Sequence, residues 1–211
     1  MLSVLTMPVD TGEVVAIVAA ASFAAGLNVY ATVATLGLLG RYDVLPLPPA
    51  LHVVESWPVI GAAVALFVIE FFADKIPGFD LIWNALHTFV RVPVAALLSY
   101  GATAQLSPGA QIAAAVLGGA IALAAHGGKT AVRAAVTPSP EPFSNIALSA
   151  GEDVVAVGLT WFAGAHPWIA LAIVVLLLLG TIFAIRLVWR ALRRLFGGAR
   201  RQAEALEGHP T

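Results

Sequence analysis

Charged side chains interrupt the apolar stretches of this chain at several points, and the first of these points carries two carboxylates. Glu70 precedes Asp74 by four residues, which places both on one face of a helix about one turn apart. A carboxyl group in an apolar environment could hold a proton or a cation, because burial favours its neutral form. The alternative is a structural ion pair between Glu70 and one of three cations elsewhere in the chain, which are Lys75, Arg91 and Arg133.

A second acidic group lies about eighty residues further along. Asn145, Ser149, Glu152 and Asp153 recur at spacings of three and four residues, which puts them on one stripe of a helix. Long Lys and Arg side chains can reach back to a membrane surface, but the short carboxylate side chains cannot. The pattern therefore favours a ligand-binding or pore-lining role for Glu152 and Asp153.

Cationic and histidine side chains also recur at helical spacing. His87 lies four residues before Arg91, and Lys129 lies four residues before Arg133. Lys and Arg bind oxyanions well, so these faces could form a phosphate or carboxylate site; the alternative is the ordinary belt of cations at a membrane surface. The complete set of residues predicted to form a ligand, ion or structural ion-pair cluster is Glu70, Asp74, Lys75, Asp80, His87, Arg91, His126, Lys129, Arg133, Asn145, Ser149, Glu152 and Asp153.

Motifs for other kinds of chemistry are missing from the sequence. There is no cysteine, no HxxxH or HExxH spacing for a metal, and no GxSxG nucleophile motif. Neither a metal nor a cofactor is therefore expected. An intramembrane enzyme that acts on a lipid headgroup is a third alternative, with a carboxylate as base and the cations as a phosphate clamp, but no motif supports it.

The elements that must position these residues follow from composition. Of the 211 residues, 60% are hydrophobic and only 11% are charged, whereas soluble chains carry roughly 25% charge. The predicted fold class is therefore an all-α polytopic transmembrane bundle. Each crossing needs about 20 helical residues, and that length fits the chain six times, over Val14–Leu39, Pro58–Phe72, Phe79–Tyr100, Ala110–Ala125, Asn145–Ala163 and Trp168–Val188.

The positions of Lys and Arg predict the orientation, because cytoplasmic flanks are enriched in them. If six crossings alternate, only Arg41 falls on the side opposite the other Lys and Arg residues. Both chain ends are therefore predicted to face the cytoplasm, in a cytoplasmic (inner) membrane, since outer membranes contain barrels. Residues 1–196 are predicted to form one bundle and residues 197–211 a polar cytoplasmic tail.

The expected partners follow from this placement. The lipid bilayer is the first, and the Arg-rich C-terminal end is predicted to meet anionic lipid. Small bundles often work as dimers, so a homo-oligomer is also expected, although the sequence selects no surface for it. No nucleic-acid partner is expected.

The first apolar segment has a seam of small and polar residues that includes Gly26 and Asn28. Small residues let membrane helices approach closely, so packing is the favoured interpretation. The alternative is a helix broken at these two positions, which would expose backbone groups to a substrate.

Two further patterns concern the chain as a whole. Segments two and three resemble segments four and five in plan, which suggests a parallel duplication of two helical hairpins. A resemblance to a known family is carried by five strings, which are Ser22–Tyr30, Glu70–Asp80, His87–Arg91, Ser139–Asn145 and Glu152–Asp153. On these strings the chain resembles the bacterial integral membrane family called domain of unknown function 4126, over roughly residues 14–163. The family implies an architecture and no activity.

Two functions follow from these observations. The first is a small transporter or channel for an ion or a small polar metabolite, whose buried charges lie near the cytoplasmic side. The second is a non-catalytic membrane scaffold or assembly factor, in which buried ion pairs fix how the helices pack. The first predicts a cavity that reaches the charged groups; ion pairs that lock every one of them away from water would count against it.

Overall fold

The computed structural model describes the backbone of residues 10–76, 79–136 and 142–207; within these ranges it omits the side chains of residues 80–81, 134–136, 142, 144–145, 192 and 195–207. All regular structure in the described ranges is helical. The α-helices are α1 Thr11–Leu27, α2 Val29–Arg41, α3 Trp57–Ala73, α4 Phe79–Ala102, α5 Pro108–Val136, α6 Pro142–Ala165 and α7 Pro167–Glu207, and a 3-10 helix covers Pro49–Glu55. This confirms the predicted all-α class.

Asn28 separates the first two helices. Its backbone is extended, with φ −148° and ψ 102°, so it belongs to neither helix. Its side-chain oxygen accepts a hydrogen bond from the Ala31 amide at 2.9 Å, which is the usual N-cap of a helix. Asn28 therefore ends α1 and starts α2 within a single residue.

The contacts with α4 show the direction in which α1 runs. Ser22, in α1, forms a hydrogen bond of 3.0 Å with Ser99, near the end of α4. Tyr30, just after the break, forms a hydrogen bond of 3.1 Å with His87, near the start of α4. Because α1 passes the end of α4 and then reaches its start, it runs antiparallel to α4 up to Asn28.

After the break the chain returns to where it began. The 3-10 helix that follows α2 packs Leu51 onto Gly101, again at the end of α4. At the other end of the hairpin, Gly12 lies against the ring of Trp168, at the start of α7. Thus α1 and α2 form a helical hairpin whose tip is Asn28 and whose two open ends lie at the same end of the bundle.

This hairpin corrects one prediction from the sequence. The prediction that Val14–Leu39 is one crossing is wrong, because the chain turns back at Asn28. Helix α1 begins beside the start of α7, and the orientation of the two chain ends stays a prediction. Hydropathy could not reveal the reversal, since both arms of the hairpin are apolar.

The other helices agree well with the predicted segments. Helices α3, α4, α5 and α6 begin within a few residues of the predicted starts, and α7 begins at Pro167 but continues to Glu207 without a break. By length and composition, three helices could cross a membrane, within Pro108–Arg133, Ile146–Ala165 and Pro167–Ala191. A fourth is the pair formed by the 3-10 helix and α3, which bends by 60°. The duplication of hairpins stays a prediction.

Helix α1 lies at the centre, where it packs against α4, α5, α6 and α7. It can do so because its inner positions are mostly Ala and Gly, which allow helices to approach closely. A Cβ atom at Gly26 would lie 2.7 Å from the Cβ of Ala125 and 2.9 Å from the Cα of Ala122, so only glycine fits there. Close packing and the break thus occur two residues apart.

Burial is arranged as in a membrane protein. Large apolar side chains such as Phe72, Phe89 and Leu176 are exposed on the outer surface, while Glu70, Arg91 and other polar groups are buried inside. This arrangement suits a lipid solvent, in which polar groups must find partners within the bundle.

Candidate functional site

A buried ion pair joins α3 to α4. Glu70 and Arg91 are fully buried and form a direct ion pair through Oε1 and Nη2. Arg91 also donates through Nη1 to the side-chain oxygen of Asn84 at 3.1 Å. The same Nη1 contacts His126 Nδ1 at 2.6 Å, which ties α4 to α5.

Four charged groups form a second set between α3, α5 and α6. Lys129 lies 2.9 Å from the Asp74 carboxylate and 3.2 Å from Glu152. Arg133 lies 2.9 Å from the same Asp74 oxygen and 2.6 Å from Glu152. Each cation therefore bridges both carboxylates, which fixes the relative positions of the three elements.

The tip of the hairpin lies inside this group. Lys129 donates through Nζ to the main-chain oxygen of Leu27 at 3.0 Å, the last residue of α1. Asn28 donates through Nδ2 to Asp153 Oδ1 at 2.8 Å. The broken helix thus presents a carbonyl and an amide to the charged side chains. We call this whole group the tip site, and its residues are Leu27, Asn28, Glu70, Asp74, Asn84, Arg91, His126, Lys129, Arg133, Glu152 and Asp153.

Asp153 differs from the other three carboxylates of the tip site. No described Lys, Arg or His lies within ion-pair distance of it, and its Oδ2 is buried without a hydrogen-bond partner in the described structure. Ser149, one turn earlier on the same face of α6, is also buried, and its Oγ has no partner there either. Two buried oxygen atoms one turn apart therefore lack donors.

His126 is a neutral link, as its partners require. Arg91 can only donate, so His126 Nδ1 must accept, and His126 Nε2–H then donates to Thr88 Oγ1 at 2.7 Å. His87 donates through Nδ1 to the Trp83 carbonyl at 2.8 Å, and its Nε2 forms a hydrogen bond of 3.1 Å with the Tyr30 hydroxyl. The His126 ring therefore adds no positive charge to the tip site.

Lys75 lies at the edge of the site, in the turn after α3. Its Nζ donates to the Phe71 carbonyl at 2.8 Å and lies over the Phe71 ring, and it is only half-buried. Burial lowers the pKa of Lys75, and the charges of Asp153 and Asp74 partly oppose that shift. Lys75 therefore acts on the carboxylates at a distance and does not pair with them.

A cleft reaches the tip site from the outer surface. Its volume is about 610 Å³, and it lies between α6 and α7, with α1 and α5 as its floor. The walls are apolar, with exposed Leu176 on one side and Val155 on the other. Lys129 and Glu152 are the charged residues of the lining, so the cleft ends on the ion pair beside the hairpin tip.

Most of the residues predicted from the sequence meet here. The structure brings together Glu70, Asp74, Arg91, His126, Lys129, Arg133, Glu152 and Asp153, with Ser149 and Asn28 beside them. His87 is one step away, against Tyr30. The predicted roles of Asp80 and Asn145 rest on side chains outside the described structure. Among the described residues, no group of three His, Asp or Glu side chains is placed to hold a metal ion.

Two contributors were not predicted. Asn84 accepts from Arg91 and donates to Asp74 Oδ1 at 3.4 Å, so it links the two ion-pair groups. A signal for it existed, because Asn84, His87 and Arg91 recur at spacings of three and four. The Leu27 carbonyl left no signal, because a main-chain group becomes available only through the break that follows it.

Fold and site together define an all-helical protein of membrane type, with a charged site buried at the tip of a helical hairpin. The chain belongs to the family described as Domain of unknown function (DUF4126), whose family model matches residues 15–188. This confirms the predicted resemblance, and the match continues beyond the strings that carried it, into α7. No curated protein and no solved structure matches the chain.

Proposed function

We propose that this protein is a small membrane transporter or channel-like protein for an ion or a small polar metabolite. The observation that carries the proposal is the hairpin tip: α1 breaks at Asn28, and the break lies against Lys129 and Asp153. In membrane transporters, helices interrupted within the bundle use freed backbone groups and charged side chains to bind solutes. A bundle that needed only stability would gain little from such a break.

The proposed topology follows from the helix directions. Helices α3 to α7 cross the bilayer, and the hairpin of α1 and α2 enters from one side and returns to it. The turn after α3 and the end of α7, which carry Lys75 and Arg190, then face the cytoplasm by the positive-inside rule. The start of α1 faces the opposite side of a bacterial inner membrane.

The cleft supports a path to the site. It ends on Glu152, whose side chain is 12% exposed, and on Lys129, which is buried. A solute that entered between α6 and α7 would meet this pair first and Asp153 behind it. The ion pairs would then hold a closed state, which must open for transport.

A scaffold is the second candidate, and one observation favours it. Glu70, Asp74 and Glu152 all form direct pairs with buried cations, so three of the four carboxylates of the tip site are locked. In this role the arginines near the end of α7 would bind anionic lipid or a partner, at about 1 kcal/mol per residue. If a chain ending at Trp189 still reaches the membrane and recovers the same partners, that role of the C-terminal end is excluded.

A thermal-shift screen of the detergent-purified protein tests the proposed transport function. The probes are sodium, potassium, ammonium, phosphate, simple carboxylates and amines, each with wild type, Glu152→Gln/Asp153→Asn and Asp43→Asn. Asp43 is exposed and distant from the tip site, so its variant controls for the loss of a carboxylate. A bound solute at a hundred times its dissociation constant should add about 2.7 kcal/mol.

The pattern across the three proteins decides between the candidates. Saturable stabilisation in wild type and Asp43→Asn that the double variant loses supports a solute site. If no probe stabilises any of them and the double variant is only less stable, the ion pairs are structural and the scaffold is favoured.

A further inference from the structure

Asp153 is the one carboxylate of the tip site without a positive partner among the described side chains. The three buried cations are Arg91, Lys129 and Arg133, and they pair with Glu70, Asp74 and Glu152. An ionised Asp153 would therefore be a buried charge that no ion pair compensates, which is strongly unfavourable in an apolar interior.

The hydrogen bonds of Asp153 also fit a neutral acid. Asn28 donates to Oδ1 at 2.8 Å, which suits the carbonyl oxygen of a carboxylic acid. The other oxygen, Oδ2, accepts no hydrogen bond, whereas a buried carboxylate normally accepts several. A neutral carboxyl group places no charge on Oδ2, so the absence of donors there costs less free energy than it would for a carboxylate.

We propose that Asp153 is a proton-binding site: in the closed state it is a neutral carboxylic acid that holds the hairpin tip through Asn28. The inference rests on the proposed transport function and names the proton as its coupled or transported ion. On opening, the Oδ2–H bond breaks, the proton passes to a water molecule, and Asp153 is left as a carboxylate.

Sodium is a weaker fit to the same position. A sodium ion needs several oxygen ligands at once, whereas Asp153 Oδ2 and Ser149 Oγ are the unpartnered buried oxygen atoms that the structure places on this face of α6. A proton needs only one acceptor. A proton therefore fits the observed groups better than a sodium ion.

Several charged groups act on Asp153 from the neighbouring elements. The cations nearby are Lys129 on α5 and Lys75 after α3, and the carboxylates nearby are Glu70 on α3 and Asp74 at its end. Glu152 is adjacent on α6 but pairs with Lys129 and Arg133. Tyr30 of α2 pairs with His87, and α7 adds no titratable side chain to the cleft lining.

Infrared difference spectroscopy of the full-length protein tests this assignment directly. Spectra of wild type, Asp153→Asn and Glu152→Gln are recorded between pH 5 and pH 10. The detergent must contain no ester groups, because ester carbonyl bands would overlap the carboxylic-acid band. We expect the wild-type minus Asp153→Asn spectrum at pH 7 to contain one carboxylic-acid C=O band that shifts down in heavy water. The wild-type minus Glu152→Gln spectrum should contain carboxylate bands and the amide bands of the new Gln, but no carboxylic-acid band.

A second variant keeps the test decisive if Asp153→Asn does not fold. In Asn28→Ser, which retains a side chain suited to the N-cap, the acid loses the amide donor to Oδ1, so the same band should move to higher frequency while its intensity stays. Absence of an acid band that responds to either variant would overturn the proposal. A carboxylate band of Asp153 that shifts when sodium chloride replaces choline chloride would overturn it in favour of sodium.

The outcome is separable from that of the solute screen. An acid band without stabilisation by any solute keeps the proton site and rejects solute transport. Stabilisation by a solute without an acid band rejects the proton site and keeps the transport function.

Discussion

At the residue scale, the charges of the tip site are so closely coupled that removing one of them alone lowers the stability of the fold. Glu70 and Arg91 illustrate this, because both are fully buried and each is the other's main charge partner. Removing one member of a buried pair leaves an uncompensated charge, while removing both can be nearly neutral.

A double-mutant cycle on this pair should therefore be strongly non-additive. We expect Arg91→Met to lower the free energy of unfolding by about 3 to 5 kcal/mol, because Glu70 remains charged and buried. The double variant Glu70→Gln/Arg91→Met should be more stable than Arg91→Met alone. Denaturant or thermal unfolding in detergent measures the change in unfolding free energy for Arg91→Met, Glu70→Gln and the double variant. Effects of the two single variants that add to within about 0.5 kcal/mol would show that the pair is not coupled.

Sequence reasoning singled out charged residues that the structure buries together, but it did not find the groups that link them. Helical spacing and the cost of burying charge identified Glu70, Arg91, Lys129 and Asp153, because a charge within an apolar segment is conspicuous. Asn84 was missed because burying a neutral amide in an apolar segment costs less free energy than burying a charge. Its presence there is therefore a weaker signal. Which cation pairs with which carboxylate depends on helix packing, which spacing along one helix does not determine.

At the element scale, the hairpin depends on close approach of α1 to α5. The hydrophobicity of residues 14–39 predicted a continuous helix, and only Asn28 and its small neighbours hinted at a break. A single extended residue reverses the chain, and its effect on direction is visible only in the contacts with α4. This is why hydropathy alone predicts one continuous helix where the structure has two.

Gly26→Ala should separate α1 from α5 and weaken the whole bundle. The added Cβ would overlap the Ala122 backbone, which cannot move aside as a flexible side chain could. The matched control is Gly158→Ala on α6, where a Cβ meets nothing within 4 Å. Since Ala favours helices over Gly by about 1 kcal/mol, the control should be stabilised and Gly26→Ala destabilised in thermal unfolding. Equal shifts in both would contradict the close packing of the hairpin.

At the scale of the whole molecule, the proposed topology places the start of α1 on a different side from the one that six crossings would give. Six crossings would put the start of α1 on the same side as the turn after α3. The proposed five crossings and a hairpin would put it on the side of the α4–α5 loop, and would leave the cation-rich ends where the positive-inside rule predicts them. Composition indicates the membrane environment, but in this proposal the side on which the chain starts depends on the break at Asn28.

The absence of cysteine makes this topology simple to measure. Single cysteines at Asp10, Gln105 and Ile76, all exposed positions, can be labelled in intact cells with a membrane-impermeant maleimide. We expect Asp10→Cys and Gln105→Cys to react from outside and Ile76→Cys to react only after the membrane is opened. If Asp10→Cys and Ile76→Cys both react only after the membrane is opened, the six-crossing arrangement is supported instead.

The central claim is that the tip site opens to water during function, and a buried cysteine tests it most directly. Ser149 and Thr160 are both buried on α6, but Ser149 adjoins Asp153 whereas Thr160 bonds only to the Ala156 carbonyl. In membrane vesicles, we predict that a small water-soluble thiol reagent modifies Ser149→Cys at least about tenfold faster than Thr160→Cys, a difference in opening free energy of about 1.4 kcal/mol. Equal and negligible reactivity at both positions would contradict the account, because the charges would then be permanently sealed.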